Sequence, residues 1–305
     1  MLTLSSLPPQ ELRRRLAQGG VRLQTGAFVA CVTSPIGHVA DGLALLYGDY
    51  PLRGDDDFAD FYLNLAPVGG LRRWLRPQVQ FDHDGLRPFQ PLPLTQAFSM
   101  FEWALNWCVS GRAHRYLIIH AAVVEKNGRA AILPAPPGSG KSTLCAAQVS
   151  RGWRLLSDEL TLIRLDDGLV LPSPRPISLK NGSIDLIRRY APGTVFSRPV
   201  ADTAKGTIAH MRAPADSVRR AGETARPAWI VFPQYVAGAA PSLTPVPRTR
   251  AFLRVAENAF NYSLLGADGF KAVGALMETA TTFDFSYSAL DDAIAVFAQL
   301  AGGAA

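Results

Sequence analysis

Apolar and polar positions alternate along this chain in two regimes. Up to about residue 95, a short helical stretch at Pro9–Gln18 is followed by alternating runs at Val21–Thr33, Leu43–Tyr50 and Phe58–Leu65. That pattern predicts a small α+β unit with strand character. The proline-rich stretch Leu86-Arg-Pro-Phe-Gln-Pro-Leu-Pro-Leu-Thr95 is the candidate boundary, dividing the chain into units of residues 1–95 and 96–305. Beyond it Phe98, Phe101, Leu105 and Cys108 recur at helical spacing, with Trp103 and Trp107 on another face. A helix is expected over about Gln96–Ser110, with Thr95 as its cap. Its aromatic face reads as packing for the core and the domain interface, ahead of a platform for stacking bases.

From Tyr116 onward strand and helix alternate. Leu117–Glu125 and Arg129–Pro134 flank Asn127-Gly128, the strongest short hairpin signal. A helix to about Arg151 and a strand at Arg154–Ser157 come next. Thr161–Leu165 and Gly168–Leu171 flank Asp166-Asp167-Gly168 as a second hairpin. Helices are expected at Ser183–Tyr190, Arg250–Leu264, Phe270–Ala280 and Ala289–Leu300, with strands at Trp229–Phe232 and Phe283–Tyr287. The fold class is therefore α/β, built as an α+β mixed sheet with helices against it and the N-terminal α+β unit in front.

Composition narrows the functional classes. At 305 residues and 48% hydrophobic content, the chain can bury a sizeable core and has room for two domains. Lys and Arg number 31 against 25 Asp and Glu, a formal charge of +6 that suits an anionic ligand. The charge is spread without a basic run, so nucleic acid is not an expected partner. Cys31, Cys108 and Cys145 share no metal-ligand spacing with the five histidines and read as reduced thiols. No apolar run approaches a membrane span and the N-terminus lacks a signal-peptide pattern, so a cytoplasmic protein with no membrane partner is expected.

The chemistry concentrates at Ile132-Leu-Pro-Ala-Pro-Pro-Gly-Ser-Gly-Lys-Ser-Thr143, a strand that ends in a glycine-rich loop and opens into a helix. Gly138 and Gly140 let backbone N–H groups turn toward an anion, and Lys141 supplies a compact positive charge. The Ser142 hydroxyl can ligate magnesium, and the positive end of the helix faces the phosphates. Pro137, Gly138, Ser139, Gly140, Lys141, Ser142 and Thr143 thus form the expected binding set for a nucleoside triphosphate. Ala135 departs from the full pattern, which has glycine at that position.

Two further groups follow from spacing. A two-residue turn at Asn127-Gly128 pairs Lys126 with Arg129 and Glu125 with Ala130, and the same count places His120 opposite Ala135, at the mouth of the loop. The alternative for His120 is a satisfied core histidine. The apolar strand Arg154–Ser157 ends in Asp158 and Glu159; if it runs parallel to the loop strand, its end returns to the same edge of the sheet. A carboxylate there can hold magnesium or take a proton from an attacking hydroxyl, and the alternative is a solvated strand cap. The chain lacks a Ser-Gly-Gly-Gln signature and an Asn-Lys-x-Asp guanine reader, so a kinase-like transferase is favoured over transport ATPases and GTPases.

These residues resemble the catalytic core of HPr serine kinase/phosphorylase, and more closely the branch called HPr kinase-related kinase A. The hallmarks read here as His120-Ala-Ala-Val-Val, Leu155-Leu-Ser-Asp-Glu159, Arg175-Pro-Ile-Ser-Leu-Lys180, Asp202-Thr-Ala-Lys-Gly206 and Phe260-Asn-Tyr-Ser263, with Glu102-Trp-Ala-Leu-Asn-Trp107 and Phe58-Ala-Asp-Phe61 upstream. The resemblance implies the mixed-sheet P-loop core shared with bacterial phosphoenolpyruvate carboxykinases, with ATP and Mg²⁺ as cofactors. It implies Asp158 as general base and Glu159 as magnesium ligand, although HPr kinase itself carries two aspartates here, so Asp158 is a metal candidate too. Lys141 would hold the β- and γ-phosphates, His120 would contact the γ-phosphate or orient Asp158, and Arg250, with Arg248, matches a phosphate-contacting arginine before a helix. Lys180 and Lys205 are further candidates for the phosphate or the acceptor. No counterpart of the segment tuning the phosphorylase reaction is present. The expected activity is transfer of the γ-phosphoryl group to a hydroxyl, serine in the first instance, of a peptide or small protein. A PqqD-like peptide chaperone and a homo-oligomeric assembly are implied partners. A small-molecule kinase and a non-catalytic nucleotide-dependent module are the alternatives.

Overall fold

A computed structural model describes residues 2–70 and 72–302 of the chain, which form three sheets and the helices packed on them. The first sheet has the order β1 (Val21–Thr25), β2 (Phe28–Thr33), β3 (Phe61–Pro67), β4 (Gln78–Asp82) and β5 (Leu92–Pro93). Around it lie α1 (Pro9–Gln18), α2 (Gly37–Leu46) and the single turn α3 (Arg72–Leu75). Thr25 pairs with Phe28, so the run Val21–Thr33 is a hairpin turning at Gly26. Strands β2 and β3 are parallel, and such a pair needs a crossover, which α2 supplies. The expectation of strand character over Leu43–Tyr50 is thereby corrected. Val39, Leu43 and Leu46 are buried at helical spacing, and that period decides the element.

Helix α4 (Ala97–Arg112) leads into the second sheet through β6 (Tyr116–Lys126) and β7 (Arg129–Pro134). Then come α5 (Lys141–Ser150), β8 (Arg154–Ser157), β9 (Leu160–Arg164) and β10 (Val170–Leu171). A third, three-stranded sheet is made by β11 (Ile177–Lys180), β12 (Val200–Thr203) and β13 (Gly206–Met211), with α6 (Gly182–Tyr190) and α7 (Ala215–Arg219) beside it. The chain then returns to the second sheet with β14 (Arg226–Tyr235), β15 (Ser242–Pro245), α8 (Arg248–Glu257), α9 (Tyr262–Leu265), α10 (Ala267–Thr279), β16 (Thr281–Tyr287) and α11 (Leu290–Gly302). Its order is β10-β9-β6-β7-β14-β16-β15, with β8 pairing β6 as well. Parallel pairs β7–β14 and β14–β16 stand beside antiparallel pairs β6–β7 and β15–β16, so the architecture is α/β with mixed sheets.

The hairpin at Asn127-Gly128 has the expected register, Lys126 opposite Arg129 and Glu125 opposite Ala130. Both turn residues take positive φ, 54° and 77°, as a two-residue turn matched to the strand twist requires. The expected helix Arg250–Leu264 is interrupted: α8 stops at Glu257 and α9 starts at Tyr262. Between them the Asn258 carbonyl accepts the His120 N–H at 2.7 Å, and Phe260 N–H donates to the Ile118 carbonyl at 2.8 Å. Strand β7 covers only the second half of β6, so these groups would otherwise be unpaired, and satisfying them outweighs continuing a helix.

The second sheet buries both faces. One core runs from Leu12 and Phe28 through Phe101 and Cys108 of α4 to Leu133, Leu144 and Phe297. A second lies on the opposite face, with Ile132, Ile230, Val255 and Val273. The two cores alternate along β7, Ile132 facing one and Leu133 the other, as a strand's period of two dictates. Among the described residues no helix is long and apolar enough to cross a membrane.

Candidate functional site

The loop between β7 and α5 is shaped by its glycines. Gly138 and Gly140 both have φ of +89°, in the region that other residues rarely adopt. At Gly140 space is limiting as well, because a Cβ there would lie 2.6 Å from the Tyr287 hydroxyl. Tyr287 Oη donates to the Gly140 carbonyl at 3.1 Å, and the Tyr235 N–H donates to the Ser139 carbonyl at 3.0 Å. The ends of β14 and β16 thus hold the loop. Ala135 is buried and is absent from the positive-φ positions, so its methyl group needs no left-handed backbone and the departure from glycine is tolerated. Helix α5 has no side-chain cap at Gly140, which leaves its first N–H groups for a ligand.

The loop opens on a cavity of about 440 Å³. It is lined by Pro136 to Thr143, by His120 and Glu159, and by Lys180 and Lys205. Lys141 Nζ lies 3.0 Å from His120 Nε2. Burial, reinforced by Lys141, brings the His120 pKa down to about 4, so the imidazole is neutral and accepts this bond. Burial also lowers the pKa of Lys141, against the attraction of Asp158 and Glu159. Lys141, 7% exposed, thus has a neutral hydrogen-bond partner and a carboxylate pair nearby.

Asp158 and Glu159 directly follow the end of β8 at Ser157, as the sequence suggested, and β8 shares the direction of the loop strand β7 because both run antiparallel to β6. Strand β9 continues the direction of β8 along β6, with Ser157 opposite Val123 and Leu160 opposite His120. The two acids interrupt one long strand at mid-sheet, because Leu160-Thr-Leu-Ile163 is buried and the apolar face resumes. Asp158 is 5% exposed; its Oδ2 accepts the Ser178 N–H at 3.0 Å and its Oδ1 has no partner. Burial, then the adjacent Glu159 charge, raises its pKa to about 6. Glu159 goes the other way: burial would raise its pKa, but Lys205, Arg175, Lys141 and His120 together lower it. Beside the pair is a small space of about 20 Å³, enough for a single water, lined by Glu102, Asn106, Arg175 and His210 among others.

The fold thus gathers His120, Glu159 and the whole stretch from Pro137 to Thr143 around one cavity, with Asp158 lining the adjoining space. Arg250 is not brought in. It stands exposed in the first turn of α8, where Val246 bonds the Thr282 carbonyl, at the start of β16, whereas the loop contacts Tyr287 at its other end. Among the described residues no group of three His, Cys, Asp or Glu could hold a metal alone. Ser142 and Glu159, which both line the cavity, fit a magnesium ion that also draws on phosphate oxygens and water. Tyr287, Asn106 and Arg175 were given no roles by sequence reasoning. The usable signal was Glu102 and Asn106, two polar residues one turn apart in the mainly apolar middle of α4.

A family model described as ScmC, a SynChlorMet cassette protein, matches residues 95–176. That segment runs from α4 through the loop and the acidic pair. The solved structure of the Hpr(Ser) kinase/phosphatase from Coxiella burnetii is similar at 10% sequence identity, covering 60% of this chain and 96% of that one with a TM-score of 0.25. No curated protein matches the chain.

Proposed function

We propose that this protein is an ATP-dependent kinase that transfers the γ-phosphoryl group to a hydroxyl, serine in the first instance, of a peptide or small protein. The observation that carries this reading is a buried lysine at an uncapped helix start, 3.0 Å from a neutral histidine, in one cavity with Glu159 and with Asp158 lining the adjoining space. The N–H groups from Gly138 to Ser142 and the Lys141 ammonium would hold the β- and γ-phosphates. His120, an acceptor toward Lys141, fixes where that ammonium points. Magnesium, held by Ser142 and Glu159, supplies charge neutralisation on the phosphates when bound.

Asp158 is suited to the proton. A carboxyl whose pKa is raised to about 6 is ionised at neutral pH yet basic enough to accept from an incoming hydroxyl. The acceptor oxygen bonds the γ-phosphorus as the bond to the β-bridging oxygen breaks, its proton passes to Asp158 Oδ1, and ADP leaves. Pure binding requires no such base. Lys180 and Lys205 in the cavity lining also suit an acidic small molecule, which is the second reading.

The test is incubation with γ-labelled ATP and Mg²⁺, with and without serine-containing peptides or small hydroxy acids, against Asp158→Asn. The expected result is label on an acceptor, lost by roughly a hundredfold or more in the variant. Label on a hydroxy acid alone selects the second reading. Nucleotide binding with no transfer to any acceptor, peptide or small, leaves a non-catalytic module.

A further inference from the structure

A line of buried and half-buried polar side chains leads from the N-terminal unit into the site. Tyr47 Oη, at the end of α2, donates to Glu102 Oε1 at 2.7 Å, and Glu102 is only 4% exposed. Glu102 Oε2 lies 3.6 Å from Arg175 Nη1. Arg175 donates through Nη2 to Asn106 Oδ1, and Asn106 donates through Nδ2 to Glu159 Oε2. Glu102 and Asn106 are one turn apart on α4, while Arg175 lies in the stretch before β11.

The chemistry fixes the direction of this chain. A guanidinium only donates, so the Asn106 carbonyl oxygen must face Arg175 and its NH₂ must face Glu159. Glu159 lines both the small space and the larger cavity, so Oε2 is held by Asn106 while the carboxylate also lines the cavity of the loop. Buried ion pairs add little net stability over apolar packing of the same volume. A chain that ends on an acid facing the phosphate loop therefore calls for a reason beyond stability. We infer that Asn106 and Arg175 are positioning residues that orient Glu159 for magnesium, and that Glu102 and Tyr47 anchor them to the N-terminal unit. The inference rests on the kinase reading only through the magnesium role of Glu159. It makes α4 part of the site and gives residues 1–95 a mechanical connection to it.

The test is nucleotide binding by calorimetry over a range of Mg²⁺ concentrations, with thermal melting alongside. Asn106→Ala is expected to raise the Mg²⁺ needed for half-maximal enhancement by roughly tenfold or more, while metal-free nucleotide affinity changes little. In a Glu159→Gln background the same substitution should add nothing, because the group it orients is gone. Arg175→Lys, which keeps the charge but loses the planar fork, is the second variant should Asn106→Ala not fold, and the same shift is expected. An unchanged Mg²⁺ requirement, or an equal shift with and without Glu159, overturns the inference. Wild-type binding that ignores Mg²⁺ altogether instead overturns the kinase reading.

Discussion

Asp158 has one oxygen on the Ser178 N–H and the other without a partner, in a site that already contains the charge of Glu159. Its pKa is raised from 3.8 to about 6, so the folded protein holds this proton more tightly than the unfolded chain does. The stability linked to that proton is complete below about pH 4 and lost as pH rises through 6. Above that range the ionised carboxylate costs stability in the nucleotide-free protein. Removing its charge at nearly constant shape should therefore help. In urea titrations of nucleotide-free protein at pH 8, Asp158→Asn is expected to be roughly 1–3 kcal/mol more stable than the wild type. At pH 4 most of the gain should vanish. A variant less stable than wild type at pH 8 would show that the carboxylate is held by attraction, chiefly to Lys141, more than it is penalised by burial.

The decisive element for placing His120 is the break between α8 and α9. Asn261, 2% exposed, accepts the Ile118 N–H at 2.9 Å through Oδ1 and donates to the Tyr116 carbonyl at 2.8 Å through Nδ2. One side chain thus stands in for a missing strand along β6. Asn261→Ala leaves two buried backbone groups unpaired and should cost roughly 2–4 kcal/mol, read as a lowered urea midpoint. Nucleotide affinity should fall with it, since His120 sits on the strand edge that Asn261 supports; a variant of wild-type stability would refute this account of the edge. The sequence did not announce this. Residues 250–264 have helical spacing throughout, and only the unpaired edge of β6, far away in sequence, breaks the pattern. The hairpin at Asn127-Gly128 and the loop at Gly138–Gly140 were legible because their signals are local: positive φ restricts those positions to few residue types. The third sheet was illegible for the opposite reason. Its β12 is largely exposed, so Val200–Thr203 shows no apolar period to read. Asp158 and Glu159 were legible by type and by their place just after β8, whereas nothing local says that a strand resumes at Leu160.

Across the whole molecule α4 is the shared element. The Tyr47 ring lies 6.5 Å from that of Phe98 and 5.6 Å from that of Phe101, and Trp107 lies 6.1 Å from Phe81 of β4. Contact is close enough that a Cβ at Gly42 of α2 would fall 2.1 Å from the Phe98 ring. Residues of both units belong to one continuous core. Cutting the chain at the proline-rich stretch would uncover Phe98 and Phe101, each worth roughly 1.5–3 kcal/mol when buried. It would also leave Glu102 without the Tyr47 hydroxyl. Folded domains hold only about 5–15 kcal/mol in total, so a loss of several is a large fraction. A fragment of residues 96–305 is therefore expected to lack a cooperative thermal transition and to bind hydrophobic dyes, and adding residues 1–95 in trans should restore part of the transition. A fragment that melts cooperatively and binds nucleotide with wild-type affinity would mean that α4 closes its own core. The first unit would then be a separable module, and the line from Tyr47 to Glu159 would have no mechanical consequence.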